Sequence, residues 1–277
     1  MVDSAWKTYL ENTEVIVHAG GLSERWYPVT QGKIPKVLTR VGKKPRPMLD
    51  WTILPYVKAG FKKIFISLWH DPEKIMNYCR IISENTGIEF VFLIEWEKRL
   101  GRAGVLKHYL EKSVLDSNKN KINVGGADIV NINLDAFAKF HLQGMEKGFL
   151  ATLFGSTVGM SQFDKIIADS KTNHIVKMDI DRTIVLPGGE FANMGTVFFD
   201  SKLNQTFLKI KDERLPMDWE NMGQELFGKA QCYGIGKLFE NWYPLKTPYD
   251  YKKVKDIDLE KWFGVDSVEK YLGPNSV

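Results

Sequence analysis

The sequence predicts an α/β fold, a mainly parallel sheet flanked by helices, followed by a smaller antiparallel β-rich lobe. Three observations predict it. Short runs of β-branched and aromatic residues alternate with helix-length amphipathic stretches through about residues 14–149, strand signals then crowd together with turn residues between them over about 150–252, and helical spacing closes the chain over 253–277. All 277 residues are read as one domain with these three parts.

In order, the first part offers a strand at 14–19, a helix-length segment at 48–59, a strand at 63–69, a helix around 72–83, a strand at 89–94, a helix from about 103 to 115 and a strand at 128–131. Strands separated by helices call for right-handed crossovers, hence a parallel sheet covered on both faces. Ligands of such sheets bind at the carboxyl ends of the strands. The second part offers strands at 150–156, 165–168, 174–180, 183–186 and 195–199, joined by turns at Lys171-Thr172-Asn173 and Pro187-Gly188-Gly189. The end, 249–272, reads as two short helical pieces split near Gly264.

Composition narrows the function classes. At 44% hydrophobic and 26% charged residues, the chain has the make-up of a globular protein. Its net charge of +4 is spread along the sequence rather than gathered in a basic block, which hints at an anionic small ligand and argues against nucleic acid. Cys79 and Cys232 stand far apart with no ligand pattern around them, so neither a disulfide framework nor a zinc site is expected, and a cytoplasmic location fits. No apolar run approaches the roughly 20 residues that span a bilayer, and the first 14 residues lack the apolar core of a signal peptide. The five histidines are scattered and the serines lack a nucleophile elbow, which leaves metal-histidine and serine-hydrolase chemistry without support.

The chemistry is carried by one stretch. Val15-Ile16-Val17 runs into Ala19-Gly20-Gly21, then Leu22-Ser23-Glu24-Arg25, then Trp26-Tyr27-Pro28-Val29-Thr30 and Lys33-Ile34-Pro35-Lys36-Val37-Leu38. Glycines at a strand exit let backbone N–H groups approach a phosphate with no Cβ in the way. Two prolines stiffen the loop and set where Arg25 and Lys36 emerge, which is useful if both cations meet polyphosphate oxygens; an ordinary solvated basic loop is the alternative reading of the same residues.

The order Gly, Arg, Pro, Thr, Pro, Lys resembles the signature of the sugar-1-phosphate nucleotidyltransferases, Gly-x-Gly-Thr-Arg followed by Pro-x-Thr and Pro-Lys. Leu100-Gly101-Arg102-Ala103-Gly104 is similar to that family's Leu-Gly-Thr-Ala-Gly, Asn193-Met194-Gly195 to its Asn-Ala-Gly, and Trp242 with Thr247-Pro248-Tyr249-Asp250-Tyr251 to its Trp-x-Asp-Ile-Gly-Thr-Pro-x-Asp-Tyr. The resemblance implies a Rossmann-like nucleotide-binding part with a sugar-binding lobe. By it, Gly20 and Gly21 hold phosphate, Arg25 and Lys36 neutralise the triphosphate and the attacking sugar phosphate, Gly101 lies against the base and Asn193 contacts the sugar. It implies a nucleoside triphosphate and a sugar 1-phosphate as ligands, Mg2+ as cofactor, and leaves homo-oligomerisation open. Trp26 and Trp96 are candidates to stack on a base.

The chain departs from that pattern where the metal belongs. Ser23 and Glu24 stand for Gly and Thr, Ala127 falls on the metal-binding Asp, with Asp128 one residue late, and Pro244 replaces the second carboxylate. Asp128 is the expected Mg2+ ligand, on the reasoning that a bulge at Gly125-Gly126 re-aims the following side chain by one position; Glu24 and Asp181 are the other carboxylates in reach. These departures keep an alternative open, a non-catalytic nucleotide-binding or regulatory member of the same fold. A nicotinamide-dependent oxidoreductase is disfavoured because the Gly-x-Gly-x-x-Gly spacing is missing.

Overall fold

A computed structural model of the protein describes residues 4–156, 164–179, 190–211, 215–219, 226, 228–234 and 241–275. The elements, in order, are α1 (Ser4–Glu11), β1 (Thr13–His18), α2 (Tyr27–Thr30), β2 (Arg40–Val41), β3 (Arg46–Pro47), α3 (Met48–Lys58), β4 (Lys63–Leu68), α4 (Pro72–Thr86), β5 (Glu89–Ile94) and α5 (Arg102–Glu111). They continue with β6 (Asn120–Gly125), β7 (Asp128–Val130), α6 (Leu134–Glu146), β8 (Ala151–Ser156), β9 (Lys165–Ala168), β10 (Ile175–Asp179), β11 (Glu190–Phe199), α7 (Lys202–Lys209), β12 (Ala230–Gly234) and β13 (Trp242–Pro244). Three short helices close the chain: α8 (Pro248–Val254), α9 (Leu259–Trp262) and α10 (Glu269–Leu272). The chain folds into two compact units, each assembled from separate stretches.

One unit comprises Val15–Trp96, Val124–Ile132 and Trp242–Val277. Its β1, β4 and β5 pair in parallel, Val15 against Ile64 and Ile64 against Phe90. Val15, Ile16 and Val17 are all fully buried. Three consecutive β-branched residues with no exposed face are what a strand covered by helices on both sides requires. Helix α3 is buried around its circumference, with Trp51 stacked on Phe263 at 5.9 Å between ring centroids. Arg46 enters this packing as a cation, but its Nε donates to Asp50 at 2.7 Å, and the other Asp50 oxygen accepts from the Tyr78 hydroxyl at 2.6 Å. The buried charge is therefore paired and hydrogen-bonded. Strand β7 stands apart from the parallel strands and pairs antiparallel with β13, Asp128 opposite Pro244.

The other unit comprises Met1–Glu14, Glu97–Asn123 and Asn133–Asn241. Its strands are largely antiparallel: β11 pairs with β6, β8 and β9, and β9 pairs with β10, while β12 runs parallel to β8. Its core is aromatic, with Phe137 against Phe154 at 4.1 Å and against Phe198 at 4.4 Å. Strand β6 is absent from the sequence reading because it does not look like a strand. Asn120, Lys121 and Asn123 are polar yet buried, and Lys121 is held by Glu14 at 3.2 Å and by the Asp116 carbonyl. The turn at 171–173 is present, pinned by Asp169, whose carboxylate accepts from the backbone N–H groups of Lys171 and Thr172. The strand expected at 183–186 and the turn at 187–189 lie outside the described residues. The two helical pieces expected at the end are three, because a break at residues 255–258 separates α8 from α9.

Candidate functional site

The phosphate-loop residues leave β1 at its carboxyl end. Ala19 N donates to Ser67 O at 2.9 Å and His70 N to Gly20 O at 3.1 Å, so the loop begins as a continuation of the β1–β4 ladder. A Cβ on Gly20 would lie 2.2 Å from Trp69 N, a distance no side chain tolerates, whereas one on Gly21 would meet nothing within 4 Å. Glycine is thus required at the first position for packing, and the second is open. Ser23, which stands where the resemblance puts a glycine, takes the left-handed conformation at φ 59° and donates its hydroxyl to Gly21 O at 3.1 Å. The backbone asks for glycine there and a serine complies.

A short 3-10 turn, Glu24–Trp26, then leaves Arg25 exposed and Trp26 fully buried. Trp26 does not stack on a ligand: its indole donates to Thr39 Oγ1 at 3.1 Å and its ring lies under Lys36, with Nζ 5.0 Å from the centroid. Trp96 remains open, with 78% of its surface exposed. Lys36 follows Pro35, whose extended backbone starts the 3-10 turn Lys36–Leu38. Burial lowers the Lys36 ammonium pKa to about 7, the Lys246 and Arg25 cations add to the effect, and Asp128 and Asp250 oppose it.

Asp128 reaches this cluster by a route other than a bulge. Strand β6 ends at Gly125, Gly126-Ala127 form a two-residue turn, and Asp128 starts β7. Gly126 N donates to His18 O at 3.0 Å, and a Cβ there would come 2.6 Å from the same oxygen, so this turn too needs its glycine. The Asp128 carboxylate is 4% exposed and both its oxygens are engaged: Oδ1 accepts from Trp242 Nε1 at 3.2 Å and Oδ2 from Lys246 Nζ at 2.7 Å. Asp250 is buried as well, but its Oδ2 serves the backbone, accepting from Lys246 N at 2.9 Å and Thr247 N at 2.7 Å within a capping box that starts α8.

These residues do not suit the Mg2+ that the resemblance implies. Mg2+ requires near-octahedral oxygen ligands at about 2.0–2.1 Å, and the Asp128 oxygen best placed to serve holds an ammonium. The residue opposite Asp128 is Pro244, which has no ligand to offer. Among the described residues no three His, Cys, Asp or Glu side chains converge as a metal site would need. Lys246 is the site residue that the motif reading passed over, although it stands where Asp-Ile-Gly-Thr-Pro has its glycine. A charged residue at a position the family leaves bare was the available signal.

Gly101 and Asn193 belong to the other unit. Gly101 takes φ +78° and packs against Met217, to whose backbone oxygen a Cβ would come within 2.5 Å. Ala103 N and Gly104 N both donate to that oxygen, at 3.0 and 3.1 Å, so the start of α5 is capped by the chain itself. Arg102 beside it pairs with Asp218 at 2.9 Å. Asn193 is 8% exposed, and its side-chain oxygen accepts from Gly195 N at 2.9 Å.

The nucleotidyl transferase family matches residues 14–231, and the chain belongs to it. No curated protein matches by sequence. Among solved structures, a protein assigned as a glucose-1-phosphate thymidylyltransferase from Bacillus anthracis, in complex with a sucrose, superposes with a TM-score of 0.70 at 17% identity, covering 92% of this chain and 100% of that one. HddC from Yersinia pseudotuberculosis gives 0.66 at 20% identity over 87% of this chain and 96% of that one, and its complex with GMP-PN gives 0.65. The inositol-1-phosphate CTP transferase from T. maritima gives 0.66 at 16% identity over 93% and 96%. At these identities the likeness is one of fold. No helix among the described residues is long and apolar enough to cross a membrane.

Proposed function

We propose that this protein transfers a nucleotidyl group from a nucleoside triphosphate to a sugar 1-phosphate, releasing pyrophosphate and giving a nucleotide sugar. The observation that carries the reading is the ion pair of Lys246 with the buried Asp128, with Lys36 close enough to feel both charges and that of Arg25 from the stretch that follows the glycine loop. In the reaction a sugar-phosphate oxygen attacks the α-phosphorus in line, and the α–β phosphoanhydride bond breaks with its electrons leaving on pyrophosphate. No covalent enzyme intermediate is needed, so the protein's part is positioning and charge neutralisation. Arg25 and Lys36 take the phosphate oxygens, Gly20 and Gly21 let backbone N–H groups approach them, Gly101 borders the base and Asn193 the sugar.

A second reading is favoured by one specific observation. With Asp128 held by Lys246 and Trp242, a binding or regulatory protein that keeps nucleotide affinity without turnover is consistent with the same site. A screen of nucleoside triphosphates against sugar 1-phosphates separates the two, with pyrophosphate release and thermal shift read in parallel. The enzyme reading expects one pair to release pyrophosphate. Stabilisation by nucleotide or nucleotide sugar with no pyrophosphate from any pair establishes the second.

A further inference from the structure

The carboxylate at the centre of the cationic cluster already has its counter-ion. Asp128 is buried, and a buried carboxylate left without its partner is strongly destabilising. Here the partner is the Lys246 ammonium at 2.7 Å, helped by the Trp242 indole on the other oxygen. A divalent cation bound to that oxygen would sit against the ammonium, and the two cations would repel one another.

The position of Lys246 is set by the backbone around it. Asp250 Oδ2 holds the N–H groups of residues 246 and 247, and Lys246 N also donates to Pro244 O at 2.6 Å. The Lys246 side chain is 28% exposed, against 4% for Asp128. An ammonium has three donors, and Asp128 takes one of them. Pro244, opposite Asp128 in the β7–β13 register, removes the carboxylate that a metal would need as a second ligand. The two exchanges act together, since one deletes a metal ligand and the other, two residues on, adds a cation on the carboxylate that remains.

We infer that Lys246, anchored on Asp128, is a built-in cation in the place where a divalent metal would stand, so that nucleoside phosphates bind this protein without metal. The inference rests on the phosphate-site reading above and departs from it by excluding Mg2+ from binding. An ammonium is a compact point charge suited to phosphate oxygens, and Lys36 feels the charges of Lys246 and Arg25 together with those of Asp128 and Asp250. The low pKa of Lys36 near 7 agrees with this crowding, Lys246 being its largest influence after burial.

Calorimetric titration of the protein with ATP, GTP, CTP, UTP and dTTP, once in EDTA and once in Mg2+, tests the inference directly on the wild type. The expected result is a nucleotide that binds in EDTA at least as tightly as in Mg2+. Lys246→Gly should weaken binding in EDTA by about 10- to 100-fold, the loss of one charge-assisted hydrogen bond, and should bind more tightly once Mg2+ is added. Lys246→Arg, which keeps the charge, should retain binding in EDTA, and thermal unfolding checks that each variant is folded. Wild-type binding that requires Mg2+, or Lys246→Gly binding unchanged in EDTA, overturns the inference while leaving the phosphate-site reading standing. Absence of binding by all five nucleotides in both buffers overturns both.

Discussion

Lys36 supplies a prediction that can be worked from the structure. Its pKa of about 7 puts the charge change inside the range in which nucleotide binding is measured. In the free protein it is about nine-tenths charged at pH 6, half at pH 7 and about one-tenth at pH 8. A bound phosphate favours the ammonium and moves its pKa back up, so binding takes up a proton wherever the free side chain is neutral. The affinity for a nucleoside triphosphate should therefore fall about tenfold between pH 6 and pH 8 through Lys36 alone. The phosphate's own last ionisation, near pH 6, works in the opposite direction, so the contribution of Lys36 is the difference in slope between wild type and Lys36→Met. Lys36→Arg, charged throughout, should lack the wild-type dependence while keeping more affinity than Lys36→Met. Calorimetry in two buffers of different ionisation enthalpy reads the proton uptake independently. Equal slopes for wild type and Lys36→Met, with no proton uptake at pH 8, would refute the placement of Lys36 at the phosphates.

Two further predictions concern stability. His141 is buried between Tyr9 at 3.0 Å and Thr152 at 2.8 Å, and burial lowers its pKa to about 3 from an ordinary 6.5. The unfolded chain takes a proton below pH 6.5 that the folded chain refuses, so this stability is fully present above pH 6.5 and is lost as pH falls towards 3; at pH 5 the loss is about 2 kcal/mol. Urea unfolding at pH 7 and pH 5 should show that loss in wild type and its absence in His141→Gln. At the glycine loop, Gly20→Ala should lower stability by roughly 1–3 kcal/mol through its clash with Trp69 N, and Gly21→Ala should change it little. Similar melting temperatures for the two variants would contradict the packing described.

The parts of the fold legible in sequence were those where one physical effect dominated. Three buried β-branched residues at 15–17 admit little except a covered strand, and the glycine after them is required by the approach of Trp69. Strand β6 was illegible because its polar residues are buried and two of them meet groups distant in sequence, Asn120 the Ser201 N–H and Lys121 the Glu14 carboxylate. In the site, motif spacing pointed to Arg25, Lys36 and Asp128, but not to what surrounds Asp128. The carboxylate is aimed by a two-residue turn and an antiparallel pairing with β13, more than a hundred residues along the chain, and no local pattern encodes that meeting.

The capping box at α8 has an implication for how such a site changes over time. Asp250 fixes the backbone of residues 246 and 247 whatever side chain residue 246 carries, because it holds them by their N–H groups. Position 246 is in effect a socket, held by its backbone rather than by its side chain, and position 244, two residues before it, lies on the rung opposite Asp128. Substitutions within this three-residue span therefore act directly on the charge balance around Asp128, and Pro244→Asp with Lys246→Gly is the pair by which protein engineering could alter it with the frame held by Asp250.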